Sequence, residues 1–321
     1  MPSAAGRPRQ WRFPSAPLPP SWAARCSFGF LPAGGEGPKT RLFTAIGAGT
    51  MPSTMNTFEH FILTRFNVPL KFDLPPGEQP KRMGIDEGWL VRRFELFERV
   101  CLASVDRQTE GAFQWLVFMD WATPVAFKEK MAALTVRHEF LRPVYCSQFD
   151  DEVCLAEIRR REEPGKVRIT TRLDNDDALH PRLVEKVQEL ARARMPAMDL
   201  KKGFFISFPI GCAERKGDFY VQRYRFNPFT SFVSDPECGK TVLGSDHRYI
   251  AEVAPVVFKY ARPMWCQVIH DDNVANQLRG VYWPWGGRSE FAPGILHGFR
   301  RGPLWQCAEV ARSAWRYLLH R

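Results

Sequence analysis

Between Arg168 and His180 the chain reads Arg-Ile-Thr-Thr-Arg-Leu-Asp-Asn-Asp-Asp-Ala-Leu-His, which places three carboxylates, Asp174, Asp176 and Asp177, within four positions. Carboxylates this close repel one another. They are tolerated where water screens them, or where a hard divalent cation sits among their oxygens. The residues before them alternate, with Ile169, Thr171 and Leu173 on one face and Thr170 and Arg172 on the other, as in a short strand. From His180 onward Leu183, Val184, Val187 and Leu190 recur at helical spacing. Acidic residues between a strand and a helix fall at the carboxyl edge of a sheet, where open α/β folds bind ligands. Two readings stand on these residues alone: a solvated acidic turn in which an Asp caps the next helix, or a site for metal or phosphate chemistry.

The elements that must position these groups follow from the periodicity of the chain. His60–Asn67 reads as an apolar strand ending in Thr64, Arg65 and Asn67. After a loop with Pro69, Pro75, Pro76 and Pro80, a helix is expected from about Trp89 to Ser104, with Leu90, Phe94, Phe97, Val100 and Cys101 on its apolar face. Phe113–Asp120 is nearly all apolar, the signature of a strand covered on both faces, and Pro124 opens another helix. Leu141–Ser147 is a further strand and 152–162 a further helix, giving four strand-then-helix units and hence a mostly parallel sheet clothed by helices. Beyond Met195 the rhythm changes. Gly203–Ile210 and Asp218–Arg225 are expected to form an antiparallel hairpin, with 226–234 continuing it as another edge. A short helix or turn is expected around Asp246-His247, and Trp265–His270 reads as the last strand.

The 321 residues are 45% hydrophobic, enough for a sizeable core. The formal charge of +10 invites a nucleic-acid reading, but the excess lies at the ends: +5 over residues 1–54 and +4 over 286–321. A nucleic-acid-binding domain carries its footprint on the folded body, so no nucleic-acid partner is expected. The eight cysteines show no Cys-x-x-Cys pair and no zinc-like spacing; they suit a reducing cytoplasm. No apolar run reaches the length of a membrane span. Residues 1–54, rich in Pro, Ala, Gly, Ser and Arg, are expected to be disordered: either an Arg-rich transit peptide or a start read too early, with Met51 or Met55 the true beginning. Residues 55–285 form the expected domain, and 286–321 a tail ending in an amphipathic helix. Leu304, Ala308, Ala311, Trp315 and Leu318 share one face of that helix, with Arg312 and Arg316 off it. Such a helix either packs on its own domain or lies on an anionic membrane.

The order of His60–Asn67, the Leu96-Phe97-Glu98 helix, Trp115–Asp120, Thr170–Leu179 and Trp265–His270 resembles the bacterial rhamnosyltransferase family, from about Phe61 to Gly280. The resemblance implies a nucleotide-sugar glycosyltransferase of the GT-A type: a single Rossmann-like α/β domain with a mostly parallel central sheet, an added antiparallel hairpin and helices on both faces. It also implies an Asp-X-Asp that holds Mn²⁺ or Mg²⁺. Such an ion prefers hard oxygen ligands and stabilises a departing diphosphate. Asp176 is then the expected direct ligand. Asp174 is expected on the nucleotide ribose or a metal-bound water, Asp177 behind them, and His270 as a late ligand. Thr64, Arg65 and Asp120, at the ends of the first two strands, are the expected donor contacts, unless Asp120 only caps the helix at Pro124. Arg172 either neutralises phosphate or is a surface arginine beside carboxylates.

If the reaction inverts the anomeric carbon, a base must deprotonate the acceptor hydroxyl; the candidates are Asp246, His247, Asp271 and Asp272. The donor is a nucleotide sugar and rhamnose the sugar inherited from the resemblance. The acceptor is a glycan or lipid-linked hydroxyl, and the site of action the cytoplasm, including the inner face of its membrane. The competing readings are an inactive sugar- or nucleotide-binding protein of the same fold and an aspartate-dependent phosphohydrolase. In the latter, the motif normally closes the first strand instead of lying mid-chain.

Overall fold

The apolar run after Phe113 lies inside the main sheet, with its side chains buried on both faces. The computed structural model describes residues 58–69, 86–270, 278–284, 291 and 302–319. The expected extension 1–54 and most of the proline-rich loop lie outside them. In chain order the elements are β1 (Phe58–Arg65), α1 (Glu87–Leu96), a π-helical turn (Phe97–Leu102) running into α2 (Ala103–Val105), β2 (Gln114–Asp120), α3 (Val125–Arg137), β3 (Leu141–Cys146), α4 (Asp151–Arg159), β4 (Val167–Arg172), β5 (Ala178–Leu179) and α5 (Leu183–Arg194). There follow β6 (Phe204–Ser207), β7 (Ile210–Arg215), β8 (Asp218–Arg223), β9 (Ser231–Ser234), α6 (Ile250–Val253), β10 (Val256–Phe258), β11 (Trp265–Val268), β12 (Val281–Tyr282) and α7 (Pro303–Leu319).

Among the described residues seven strands form the main sheet in the order β10-β6-β9-β4-β1-β2-β3. The pairs β4–β1, β1–β2, β2–β3 and β10–β6 are parallel; only β9 runs against its neighbours β4 and β6. The chain winds outward from β1 through β2 to β3, then returns to lay β4 on the other side of β1. The direction of winding therefore reverses between β1 and β4. In an open α/β sheet that reversal opens a crevice beyond the carboxyl ends of the strands.

Period-2 alternation distributes β1 and β2 between two cores. Ile62, Trp115, Val117 and Met119 face Leu90, Phe94 and Phe97 of the α1 region, Met131 and Leu134 of α3, and Leu183, Val184 and Val187 of α5. Phe61, Leu63, Leu116 and Phe118 face Cys154 and Ile158 of α4 and Ile250 of α6. Helices thus cover both faces. α1 and α4 begin at side-chain caps, where Asp86 accepts from Trp89 N–H and Asp150 from Val153 N–H.

Three expectations beyond Met195 are corrected. The two arms Gly203–Ile210 and Asp218–Arg225 do not pair along their length. The first splits at Phe208-Pro209: Phe204–Ser207 joins the main sheet, and the hairpin is instead Ile210–Arg215 with Asp218–Arg223. The turn is shorter than the polar stretch suggested, because Lys216 and Gly217 both take positive φ (53° and 85°) and close the hairpin in two residues. Second, β9 is no edge; it fills the main sheet between β6 and β4. Third, the hairpin belongs to a second, five-stranded sheet, β12-β8-β7-β11-β5, and β11 is not the last strand.

Gly211 lies where this second sheet meets the main core. A Cβ there would sit 2.2 Å from the ring of Trp265. That ring is fully buried, stacked on Phe229 at 4.9 Å, and donates its indole N–H to the Phe208 carbonyl. Gly211→Ala is expected to lower stability by about 2–3 kcal/mol through overpacking, read as a lower urea midpoint with an unchanged m-value.

Candidate functional site

The loop after β4 enters the crevice between β1 and β4, and the backbone of β1 holds it there. Leu173 N–H donates to the Leu63 carbonyl, and the Asn175 amide donates to the carbonyls of Arg65 (3.1 Å) and Phe66 (2.6 Å). Asp177 N–H closes a turn on the Asp174 carbonyl. Asn175, between the two aspartates, is thus the peg that fixes the loop to the end of β1.

Asp176 is the centre of the site. Arg93, from the inner face of α1, donates to its Oδ2 at 2.6 Å and to Asn175 Oδ1 at 3.0 Å, while its guanidinium lies 4.8 Å from the Trp89 ring centre. His270 Nε2 donates to the same Oδ2 at 2.9 Å. β11 carries His270 across 94 positions by pairing antiparallel with β5 immediately after the aspartates. The Val268 N–H bond to Asp177 Oδ1 (2.9 Å) secures that approach. Burial raises the proton affinity of Asp176, but the His270 hydrogen bond and the nearby Arg93 outweigh it, and the carboxyl stays ionised below its ordinary range.

The neighbouring acids differ sharply. Asp174 is partly exposed and pairs with Arg172 at 3.2 Å. Asp177 is turned inward, 1% exposed; burial, then Asp176 and Asp174, push its carboxyl well up, and its Oδ2 has no hydrogen-bond partner. Asp246 and His247 stand within electrostatic reach of Arg172. Asp246 caps a short 3₁₀ turn, and its bonds to Arg248 hold it down at about 2. Burial, then Arg172, hold His247 at about 4, and it meets the Tyr224 hydroxyl at 3.1 Å. Neither is a strong base at neutral pH. Asp271 and Asp272 lie outside the described residues.

Of the expected donor contacts, Thr64 is not brought to the crevice. It is fully buried, and its hydroxyl accepts the Trp115 indole N–H at 2.8 Å, because the alternation of β1 turns position 64 into the core. Arg65, one position on, is exposed and feels Asp174, Arg172, Arg93 and Asp176. Asp120 is buried at the end of β2. One carboxylate oxygen accepts from Ala122 N–H, so it caps the turn before α3, and the other has no partner.

The fold and the site sit inside a recognised sequence family. Residues 59–282 match the model described as "Putative rhamnosyl transferase". The chain belongs to that family. Among solved structures it is similar to S. aureus TarS 1–349 in complex with UDP-GlcNAc (8% identity, 67% of this chain and 60% of that one, TM-score 0.39). It is similar also to the same protein with UDP (8%, 66% and 61%, 0.38). A third is the 4-diphosphocytidyl-2C-methyl-D-erythritol synthase of Anaerococcus prevotii (16%, 63% and 87%, 0.30). The chain thus spans about three fifths of the TarS structures. No curated protein sequence matches it.

Whether this family member has a donor set for a cation is a question for its own side chains. Among the described residues no three His, Cys, Asp or Glu groups converge as a metal cage. Two do converge, Asp176 and His270 at 2.9 Å, with the orphaned oxygen of Asp177 on the same loop. A carboxylate and an imidazole are donors of the kind that fit Mn²⁺, or Mg²⁺ through the carboxylate.

Three residues that the sequence reading passed over belong to this site. Arg93 is three positions after Leu90 and next to Phe94, on the buried stripe of α1; a charge there was the available signal. Asn175 was visible only as the spacer of the motif. Glu214, on β7 opposite Val268, carries a carboxyl that burial raises to about 7 despite the Gly217 N–H bond, with Arg99 and His270 among its surroundings. Nothing in its local sequence distinguishes it from a surface strand residue.

Proposed function

We propose that this chain is a GT-A-type glycosyltransferase that moves a sugar, rhamnose by its family, from a nucleoside-diphosphate donor to a hydroxyl of a glycan or lipid-linked acceptor in the cytoplasm. The observation that carries this reading is Asp176, held ionised at the winding reversal of the main sheet between Arg93 and His270. The catalytic demand is to stabilise a leaving diphosphate as positive charge grows on the anomeric carbon. Arg65, Arg93 and Arg172 surround the loop with guanidinium donors suited to phosphate oxygens. The unpaired oxygen of Asp120 at the end of β2 suits a base N–H. Asp176 and His270 would hold Mn²⁺ or Mg²⁺, which when bound supplies Lewis-acid neutralisation of the diphosphate.

Thermal stability with Mn²⁺ and a panel of nucleoside diphosphates tests the reading. Stabilisation is expected to need both ligands together and to vanish in Asp176→Ala, and the same panel of nucleotide sugars should be turned over. Stabilisation untouched by Asp176→Ala, or phosphate release from simple phosphomonoesters with no sugar transfer, would overturn it.

A further inference from the structure

α7 is attached to the domain by the side of the helix that looks polar in sequence. Glu309 and Ser313 are its buried residues: Ser313 Oγ accepts the Tyr282 N–H at 2.8 Å, and Glu309 accepts from the Tyr220 hydroxyl at 3.3 Å. Tyr317 adds a bond from the Arg223 N–H. At 100° per residue these contacts put the apolar stripe on the outside. Leu304, Trp315, Leu318 and Leu319 are 89%, 65%, 66% and 62% exposed, and Cys307, Ala308 and Ala311 fill the same arc of about 120°. Arg312 and Arg316 border the stripe, more than half exposed beyond their pairing with Glu309.

The surface beside the stripe is cationic. A cavity of about 770 Å³ opens where α7 crosses β8 and β12, lined by Arg223, Arg225, Arg279 and Arg316 together with Tyr220 and Tyr317. Arg316, which borders the stripe, also lines the cavity. An outward apolar arc with a tryptophan, bordered by arginines and a pocket of guanidiniums, has the chemistry of a bilayer interface with anionic headgroups. No helix among the described residues is long and apolar enough to cross a membrane, so contact by α7 would be in the interface plane.

We infer that α7 and the adjoining arginine-lined cavity form a docking site for an anionic phospholipid bilayer, the stripe entering the acyl boundary and headgroup phosphates meeting the cavity. This deepens the proposed function by holding the crevice at a surface where lipid-linked acceptors reside, but it does not need that reading to be true.

Co-sedimentation of the full chain with vesicles tests it. Binding is expected to equal parts of phosphatidylglycerol and phosphatidylcholine, to weaken as salt rises, and to be absent with phosphatidylcholine alone. Trp315→Glu with Leu318→Glu, both exposed, should lower the affinity at least ~tenfold while circular dichroism and the nucleoside-diphosphate thermal shift stay as in the parent. Arg279→Glu should weaken binding without touching the stripe. No binding by the parent, equal binding to neutral vesicles, or undiminished binding by the double variant would overturn the inference. So would a parent that is a dimer in solution and a double variant that is a monomer, since a second copy would then cover the stripe. Failure of the nucleotide shift alone would strike only the proposed function.

Discussion

Arg93→Met is expected to destabilise the protein by about 3–5 kcal/mol, the largest effect of any single substitution at the site. Arg93 and Asp176 are both about nine-tenths buried, and they meet at 2.6 Å. Removing the guanidinium takes the arginine cation away from a carboxylate held out of water, and breaking a buried pair by removing one partner costs far more than the net worth of the pair. The same change strips the cation from the Trp89 ring and one donor from Asn175, so the loop also loses a tie to α1. Arg93→Met combined with Asp176→Asn removes both charges and is expected to recover more than half of the loss. Equilibrium urea unfolding of the four proteins gives the cycle. A single-variant loss under 1 kcal/mol would mean that the pair is not what holds the loop.

The sequence made the first half of the sheet readable for a physical reason. β1 to α5 are strand-then-helix units whose patterns are set locally: a continuous apolar run for β2, covered on both faces, and helical spacing for Leu90, Phe94 and Phe97. The aspartate loop announced itself because three carboxylates at the end of a strand need an explanation. Beyond Met195 the order of strands is set by pairings far apart in the chain, and local pattern carries little of that. β9 is polar at both ends, Ser231 and Ser234, yet fully buried: the Ser231 hydroxyl meets Thr171 at 2.6 Å, and both strands beside β9 cover it. Pattern alone read it as an edge. Thr64 shows the same limit from the other side. A polar residue at a strand end looks like a ligand contact until the register shows it facing the Trp115 indole. α7 inverts the rule outright, since its most apolar arc is its most exposed.

Glu214→Gln is expected to remove a large part of the pH dependence of stability between pH 5 and 8. In the unfolded chain this carboxyl titrates near its ordinary 4.5, whereas in the folded protein burial raises it to about 7. Between those values the folded state holds a proton that the unfolded state has released, so raising the pH works against folding. The stability tied to the neutral carboxyl is fully present below 4.5, falls as pH rises, and is lost once the pH has passed through about 7. A shift of this size corresponds to roughly 3 kcal/mol as an upper figure. Glutamine keeps an oxygen for the Gly217 N–H and has nothing to ionise. The parent should therefore lose about 2–3 kcal/mol more than Glu214→Gln on going from pH 5 to pH 8, measured by urea unfolding at both values. Parallel stability profiles for the two proteins would show that Glu214 ionises as freely in the fold as in water. In that case the ends of β7 and β11 beside His270 would be far wetter than their burial implies.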